Sequence, residues 1–226
     1  MLGNVDSGKS TLSGVLTSAP GQLDDGRGLM REKLFNFYHE SSNGRTSSVG
    51  HEIMGFTAKG EFYTTKLAHT SKKNRIWPDI VENSAKIVHL LDMCGHEKYL
   101  KTTMHGLTSL YPDYCLLVVG ANMGISKMTR EHLGISWALD MPIIVVFTKL
   151  DLAPEEIYQE NMKKLTKILK AVNKVPVQIK TENDVDKIKD KMAAGKITPV
   201  FSTSNQTGEG IELLRKFMGT LIPAAE

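Results

Sequence analysis

Eight residues close to the start of the chain, Gly3-Asn4-Val5-Asp6-Ser7-Gly8-Lys9-Ser10, constrain its fold more than any other feature. They fit G-x-x-x-x-G-K-[ST], the spacing of a loop that wraps a polyphosphate. Such a loop brings successive backbone N–H groups against the anion, and glycines at both ends permit that approach because they carry no Cβ. The lysine then reaches the β- and γ-phosphates, and the hydroxyl after it can ligate Mg²⁺. A helix from Ser10 to about Thr17, with Leu12, Val15 and Leu16 apolar, aims its positive end at the same place. The expected architecture is an α/β sheet with a strand feeding this loop.

The remaining composition suits that architecture. At 226 residues the chain forms one α/β domain of ordinary size, and a net charge of +3 is too mild to argue for nucleic acid. Cys94 and Cys115 stand apart without metal-ligand spacing, which points to a reducing compartment. The longest apolar run, near Cys115 to Val119, is strand-sized, and no leader or spanning segment is evident. A soluble cytoplasmic domain is the expectation.

Three later stretches say what the loop holds. An apolar strand, Ile87 to Leu91, runs into Asp92-Met93-Cys94-Gly95-His96, where Asp92 can hold Mg²⁺ and the Gly95 N–H can sense a γ-phosphate. A second D-x-x-G, Asp25 to Gly28, has no strand before it and reads as a loop. A buried strand, Ile143 to Phe147, delivers Thr148-Lys149-Leu150-Asp151, in which a carboxylate can accept from guanine N1–H and N2 while the lysine stem covers the ring. Finally Ser204-Asn205-Gln206 can offer a backbone N–H to guanine O6, with Ser202 an alternative register to Ser204.

Taken in order, these motifs resemble the GTPase domains of translation factors related to elongation factor Tu. "DDGRGLMREKLF", "NGRTSSVGHEIMGF", "GHEKYLKTT" and "TKLDLAP" are similar to the GTP-binding protein 1 and 2 family, and the resemblance runs nearly end to end. It implies a P-loop G domain with a mostly parallel, Rossmann-like sheet of about six strands and flanking helices. It implies GTP or GDP with Mg²⁺ as ligands, GTP hydrolysis, and a monomer working beside the ribosome or the mRNA-decay machinery, with no membrane partner.

Site residues follow by resemblance. Asn4, Val5, Asp6, Ser7, Gly8, Lys9, Ser10 and Thr11 would contact the nucleotide, together with Gly95, Thr148, Lys149, Asp151, Leu152, Ser204, Asn205 and Gln206. Ser10, Thr46 and Asp92 would hold the metal. His96 would orient the attacking water, with Lys9 and Thr46 completing the catalytic set; Ser47 and Ser48 are rival switch residues to Thr46. Arg45 occupies a position where elongation factors carry isoleucine, and reads either as a solvated switch residue or as a cation for transition-state charge.

Only Met1 and Leu2 stand before the loop, so its feeding strand is expected to be short. Three or four buried apolar residues missing from a sheet centre would forfeit ~1.5–3 kcal/mol each. The β-barrel domains that follow in related factors are expected to be missing, so two expectations compete. One is a working GTPase module, and the other is a truncated fragment that binds nucleotide without hydrolysing it unaided.

Overall fold

Five strands form a parallel sheet in the computed structural model, which describes residues 1–65, 73–192 and 195–223. Their spatial order is β1 (Leu2–Gly3), β5 (Cys115–Gly120), β6 (Ile143–Thr148), β8 (Ile197–Ser202) and β7 (Val175–Gln178). β5 and β6 are apolar at nearly every position and buried throughout, as parallel strands covered on both faces must be. Helices α1 (Lys9–Leu16), α4 (Leu100–Leu110), α5 (Lys127–Ala138), α6 (Glu155–Ala171), α7 (Glu182–Met192) and α8 (Ile211–Thr220) flank the sheets.

The expected mostly parallel sheet with flanking helices is present, and three further strands stand beside it. A separate three-stranded antiparallel sheet joins β3 (Phe62–Tyr63), β2 (Gly50–Phe56) and β4 (Lys86–Asp92), with Gly50 opposite Asp92 and Phe56 opposite Lys86. The strand that could join the two sheets is only two residues long. Leu2 and Gly3 pair with Leu117 and Val118 of β5, while β4 is reached only through Met1. The Met1 amine donates to the Leu91 carbonyl, and Met93 N–H donates to the Met1 carbonyl at 3.2 Å.

Beyond that junction lies a cavity of about 530 Å³. Lys86–Leu91 of β4 form one side, Cys115 and Leu116 of β5 another, and Met218–Pro223 close it. Most of its lining residues are apolar, which suits an apolar segment. Adding five or six apolar residues before Met1 is therefore expected to raise the melting temperature by several degrees. An unchanged melting curve would show that the cavity does not accept a strand.

α6 illustrates how packing selects a helix face. The spacing of Ile157, Leu165, Ile168, Leu169 and Val172 predicts one apolar stripe, but Ile157 and Val172 are exposed. The buried stripe is Tyr158, Met162, Leu165 and Leu169, rotated toward the sheet. Tyr158 explains the rotation: its ring meets Phe147 edge-on at 5.4 Å, and its hydroxyl pairs with Ser202 Oγ at 2.7 Å. The lysines 163, 164, 167 and 170 remain on the solvent side.

A buried arginine ties the two ends of the chain together. α1 has no basic residue in its last turn. Arg215 of α8, 2% exposed, takes that role from a distance. Its Nε donates to the Leu16 carbonyl at 3.1 Å, and its Nη2 to those of Val15 at 2.5 Å and Ser18 at 2.9 Å. Glu212 pairs with Nη1, and Phe62 lies 4.9 Å from the guanidinium. The free carbonyls at a helix C-terminus favour such a cation.

Candidate functional site

The ends of β1, β4, β6 and β8 all open at one edge of the molecule, the carboxyl edge, where ligands of open α/β sheets are held. The loop from Gly3 to Gly8 leads into α1 there. Gly8 has φ 83°, and Asp6 also adopts a left-handed conformation, φ 58°. Lys9 is 6% exposed, and its amine donates to the Asn4 carbonyl at 2.8 Å. Burial pushes the Lys9 amine below the usual lysine range, while nearby Asp92 pulls it back up. Gly95 closes over this loop: a Cβ there would stand 2.5 Å from Lys9 Nζ and 2.8 Å from the Gly3 carbonyl oxygen.

Three residues far apart in sequence meet beside Lys9. Ser10 Oγ lies 2.8 Å from Thr46 Oγ1 and donates to Asp92 Oδ2 at 2.5 Å; Thr46 Oγ1 stands 3.5 Å from the same oxygen. Asp92 is fully buried and its Oδ1 has no hydrogen-bond partner. Burial pushes its carboxyl up, against the pull of Lys9. Two hydroxyls, one carboxylate and a free oxygen suit a hard cation that takes oxygen ligands and completes its shell with water and phosphate. Among the described residues no cluster of three His, Cys, Asp or Glu side chains offers a different kind of metal site.

The rival switch hydroxyls point elsewhere. Ser47 and Ser48 give both their hydroxyls and their backbone N–H groups to Glu40 Oε1, at 2.7–3.0 Å. Glu40 Oε2 accepts from the N–H groups of Asn36 and Phe37 at 2.8 and 3.2 Å. Burial alone would raise this carboxyl; the donors outweigh it and hold Glu40 at about 2. Glu40 thus clasps the segment that presents Thr46. Thr46 faces Ser10 and Asp92, while the two serines after it face Glu40.

The other half of the site lies across the loop. Thr148 is buried, and its hydroxyl donates to the Ser7 carbonyl at 2.5 Å, bracing the phosphate loop from below. Lys149 takes a left-handed turn, φ 59°, which throws Asp151 out into the open. Asp151 Oδ1 accepts from Ser204 Oγ at 2.5 Å across 53 residues of sequence. Ser202 is occupied with Tyr158 instead. Asn205 is buried beside Gly8, Gln206 is exposed, and Leu152 is 56% exposed at the rim.

A small cavity joins Val5, Asp6, Gly8, Lys9, Ser10, Thr11, Thr46, Gly95 and His96 with Arg31, Gly44 and Arg45. His96 is exposed at its mouth, and its Nδ1 accepts from Lys98 N–H at 3.1 Å, capping a short 3-10 turn, Glu97–Tyr99. A neutral ring in that arrangement carries its proton on Nε2. Cys94 is buried and gives its thiol to the Ser48 carbonyl at 3.3 Å, and burial pushes it up to about 11, which suits an inert filler. The Asp25–Gly28 stretch is a loop, as expected: Asp25 Oδ1 accepts from the N–H groups of Arg27 and Leu29.

Sequence reasoning missed Glu40, Arg31 and Tyr158. Glu40 and Tyr158 belong to no motif, Arg31 lies within DDGRGLMREKLF with no role read for it there, and each is placed only when distant segments meet.

Comparison with known proteins fits this geometry. The family model for the elongation factor Tu GTP binding domain matches residues 1–224. GTP-binding protein 1 of Xenopus laevis is 46% identical over 225 residues, which are 99% of this chain and 34% of that protein. GTP-binding protein 2 of Homo sapiens is 43% identical over 99% of this chain and 36% of its own length. The chain therefore spans about a third of the curated relatives it matches. Among solved structures, a bacterial selenocysteine-specific elongation factor EF-Sec superposes with a TM-score of 0.63 at 23% identity, covering 98% of this chain and 28% of that one. SelB from Methanococcus maripaludis, in complex with the GTP analogue GppNHp, gives 0.56 at 21% identity over 96% of this chain and 31% of that one. At such identities the likeness concerns the fold alone.

Proposed function

Because the chain belongs to the elongation factor Tu GTP-binding domain family, we propose that it binds GTP and GDP and hydrolyses GTP to GDP and phosphate with Mg²⁺. The meeting of Ser10, Thr46 and Asp92 beside Lys9 is the observation that carries this reading. In it, the backbone of Gly3–Gly8 wraps the phosphates and Lys9 supplies their cation. Ser10, Thr46 and Asp92 hold Mg²⁺, which when bound neutralises phosphate charge. Gly95 offers its N–H to the γ-phosphate. His96 orients the attacking water, and Asp151, Lys149 and Ser204–Gln206 receive the guanine.

His96 supplies the test. His96→Ala is expected to leave the Kd for GTP nearly unchanged while single-turnover hydrolysis slows by about tenfold or more. A proportional loss of binding would make His96 structural.

A second reading, nucleotide binding without unaided hydrolysis, is favoured by the engagement of His96 Nδ1 with Lys98 N–H. The same assay on the unmodified chain separates the two readings, since tight GTP binding without turnover supports the second. A role in translation or messenger quality control, beside the ribosome or mRNA-decay machinery, rests on the translation-factor relatives. We place it in the cytoplasm, acting as a monomer. Among the described residues no helix is long and apolar enough to cross a membrane.

A further inference from the structure

Two arginines reach the phosphate pocket, and only one comes from the switch segment. Arg45 precedes Thr46 and is exposed; Arg31 comes from the 3-10 helix Leu29–Leu34 and is half-buried. Both line the small cavity that holds Lys9, Ser10, Thr46 and His96.

Arg31 has a seat built for its guanidinium. Gly28 and Gly44 lie on either side of it, with φ 95° and 64°. A Cβ at Gly28 would stand 2.4 Å from Arg31 Nε, and one at Gly44 would stand 2.8 Å from Nη2. Two glycines in left-handed conformations thus leave the space that the planar head fills. Within that seat the head is nearly unspent. Among the described residues its one hydrogen bond runs from Nη2 to the Arg27 carbonyl at 3.5 Å, and no carboxylate pairs with it. A guanidinium carries five N–H donors in a fork suited to phosphate oxygens. Placing it unneutralised near Lys9 concentrates positive charge where an anion is to be received.

We infer that Arg31 is a phosphate-contacting residue whose guanidinium, seated between Gly28 and Gly44, binds the terminal phosphate of the nucleotide and sets a preference for triphosphate over diphosphate. The inference rests on the GTP-binding reading above and assigns that site a specificity determinant. Lys9 stands at the start of α1, where both nucleotides present phosphate. Arg31 lines the same cavity from beside Gly44, two residues before Thr46, and so adds a second cation that a longer phosphate chain can reach.

Calorimetric titration of the full chain with GDP and with the non-hydrolysable analogue GppNHp tests this, using wild type, Arg31→Ala, Arg31→Lys and Arg31→Gln. Arg31→Ala is expected to weaken GppNHp by about tenfold or more, as loss of a charged hydrogen bond would, and GDP by less than about threefold. Arg31→Lys recovers part of the GppNHp affinity. Arg31→Gln keeps a donor for the Arg27 carbonyl and separates loss of charge from loss of folding, with melting curves recorded alongside. Equal weakening of both ligands in Arg31→Ala and Arg31→Gln would make Arg31 a brace for Gly44 and overturn the inference. Unchanged affinity for both would overturn it too while leaving the GTP-binding reading standing. Failure of wild type to bind either ligand would remove that reading, and this inference with it.

Discussion

Lys9→Ala is expected to abolish most nucleotide affinity, weakening GDP by about a hundredfold or more in a calorimetric titration. The size of the effect follows from where the amine sits. Lys9 is buried against Asp92 and the Asn4 carbonyl, in a site from which water is largely excluded. A charge interaction there is far stronger than the same pair in bulk water. Removing the amine takes away the cation that faces the phosphates and the positive charge that offsets buried Asp92, which keeps its hydrogen bond from Ser10. That carboxyl is already pushed up by burial, so it would take up a proton more readily in the variant. Some loss of stability is therefore expected beside the loss of binding, and a melting curve of the free protein separates the two. GDP binding at wild-type strength would remove the phosphate-loop assignment.

Asp151→Asn is expected to shift nucleotide preference from GDP toward XDP by about a hundredfold or more. Guanine presents two donors, N1–H and the N2 amine, and a carboxylate can accept both. An amide offers one acceptor and one donor, so one edge of guanine would face a donor and stay unpaired. Xanthine carries a carbonyl in place of the amine, which the amide can satisfy. The exposed position of Asp151 leaves its second oxygen open to a base, while Ser204 Oγ holds Oδ1 in place at 2.5 Å. That hydroxyl can donate to the amide oxygen equally well, so the side chain should keep its orientation. Competition between GDP and XDP on both proteins reads the outcome. A preference that does not move would mean that Asp151 does not read the base.

What was legible in the sequence, and what was not, divides by the range of the interactions. The phosphate loop is legible from its own spacing, and Asp92 and Thr148–Asp151 from strands of seven and six residues that end in polar chemistry. The parallel core was readable for the same reason, since β5 and β6 are continuous apolar runs. The antiparallel sheet was not. β2 reads Gly-His-Glu-Ile-Met-Gly-Phe, without the alternation that marks a strand, and its buried Glu52 needs Lys73, 2.7 Å away, to be tolerable there. Arg215 was illegible for a different reason. Nothing near it in sequence is unpaired, and its partners Val15, Leu16 and Ser18 lie about two hundred residues earlier. Glu40 sits in a polar stretch where a charge would ordinarily face solvent; its burial exists only because Asn36, Phe37, Ser47 and Ser48 fold around it.

The division into two sheets has a consequence for the cleft. Thr46 and Asp92 adjoin the small antiparallel sheet, whereas Asp151 and Ser204 adjoin the large parallel one. The cleft therefore straddles two sheets, which among the described residues meet through the Met1 backbone, through Lys86 Nζ donating to the Met218 and Gly219 carbonyls, and through one apolar core shared by Phe56, Leu90 and Val118. The two ends of the cleft are therefore carried by different sheets: Thr46 and Asp92 follow the antiparallel one, and the Thr148–Asp151 turn and Ser204 follow the parallel one.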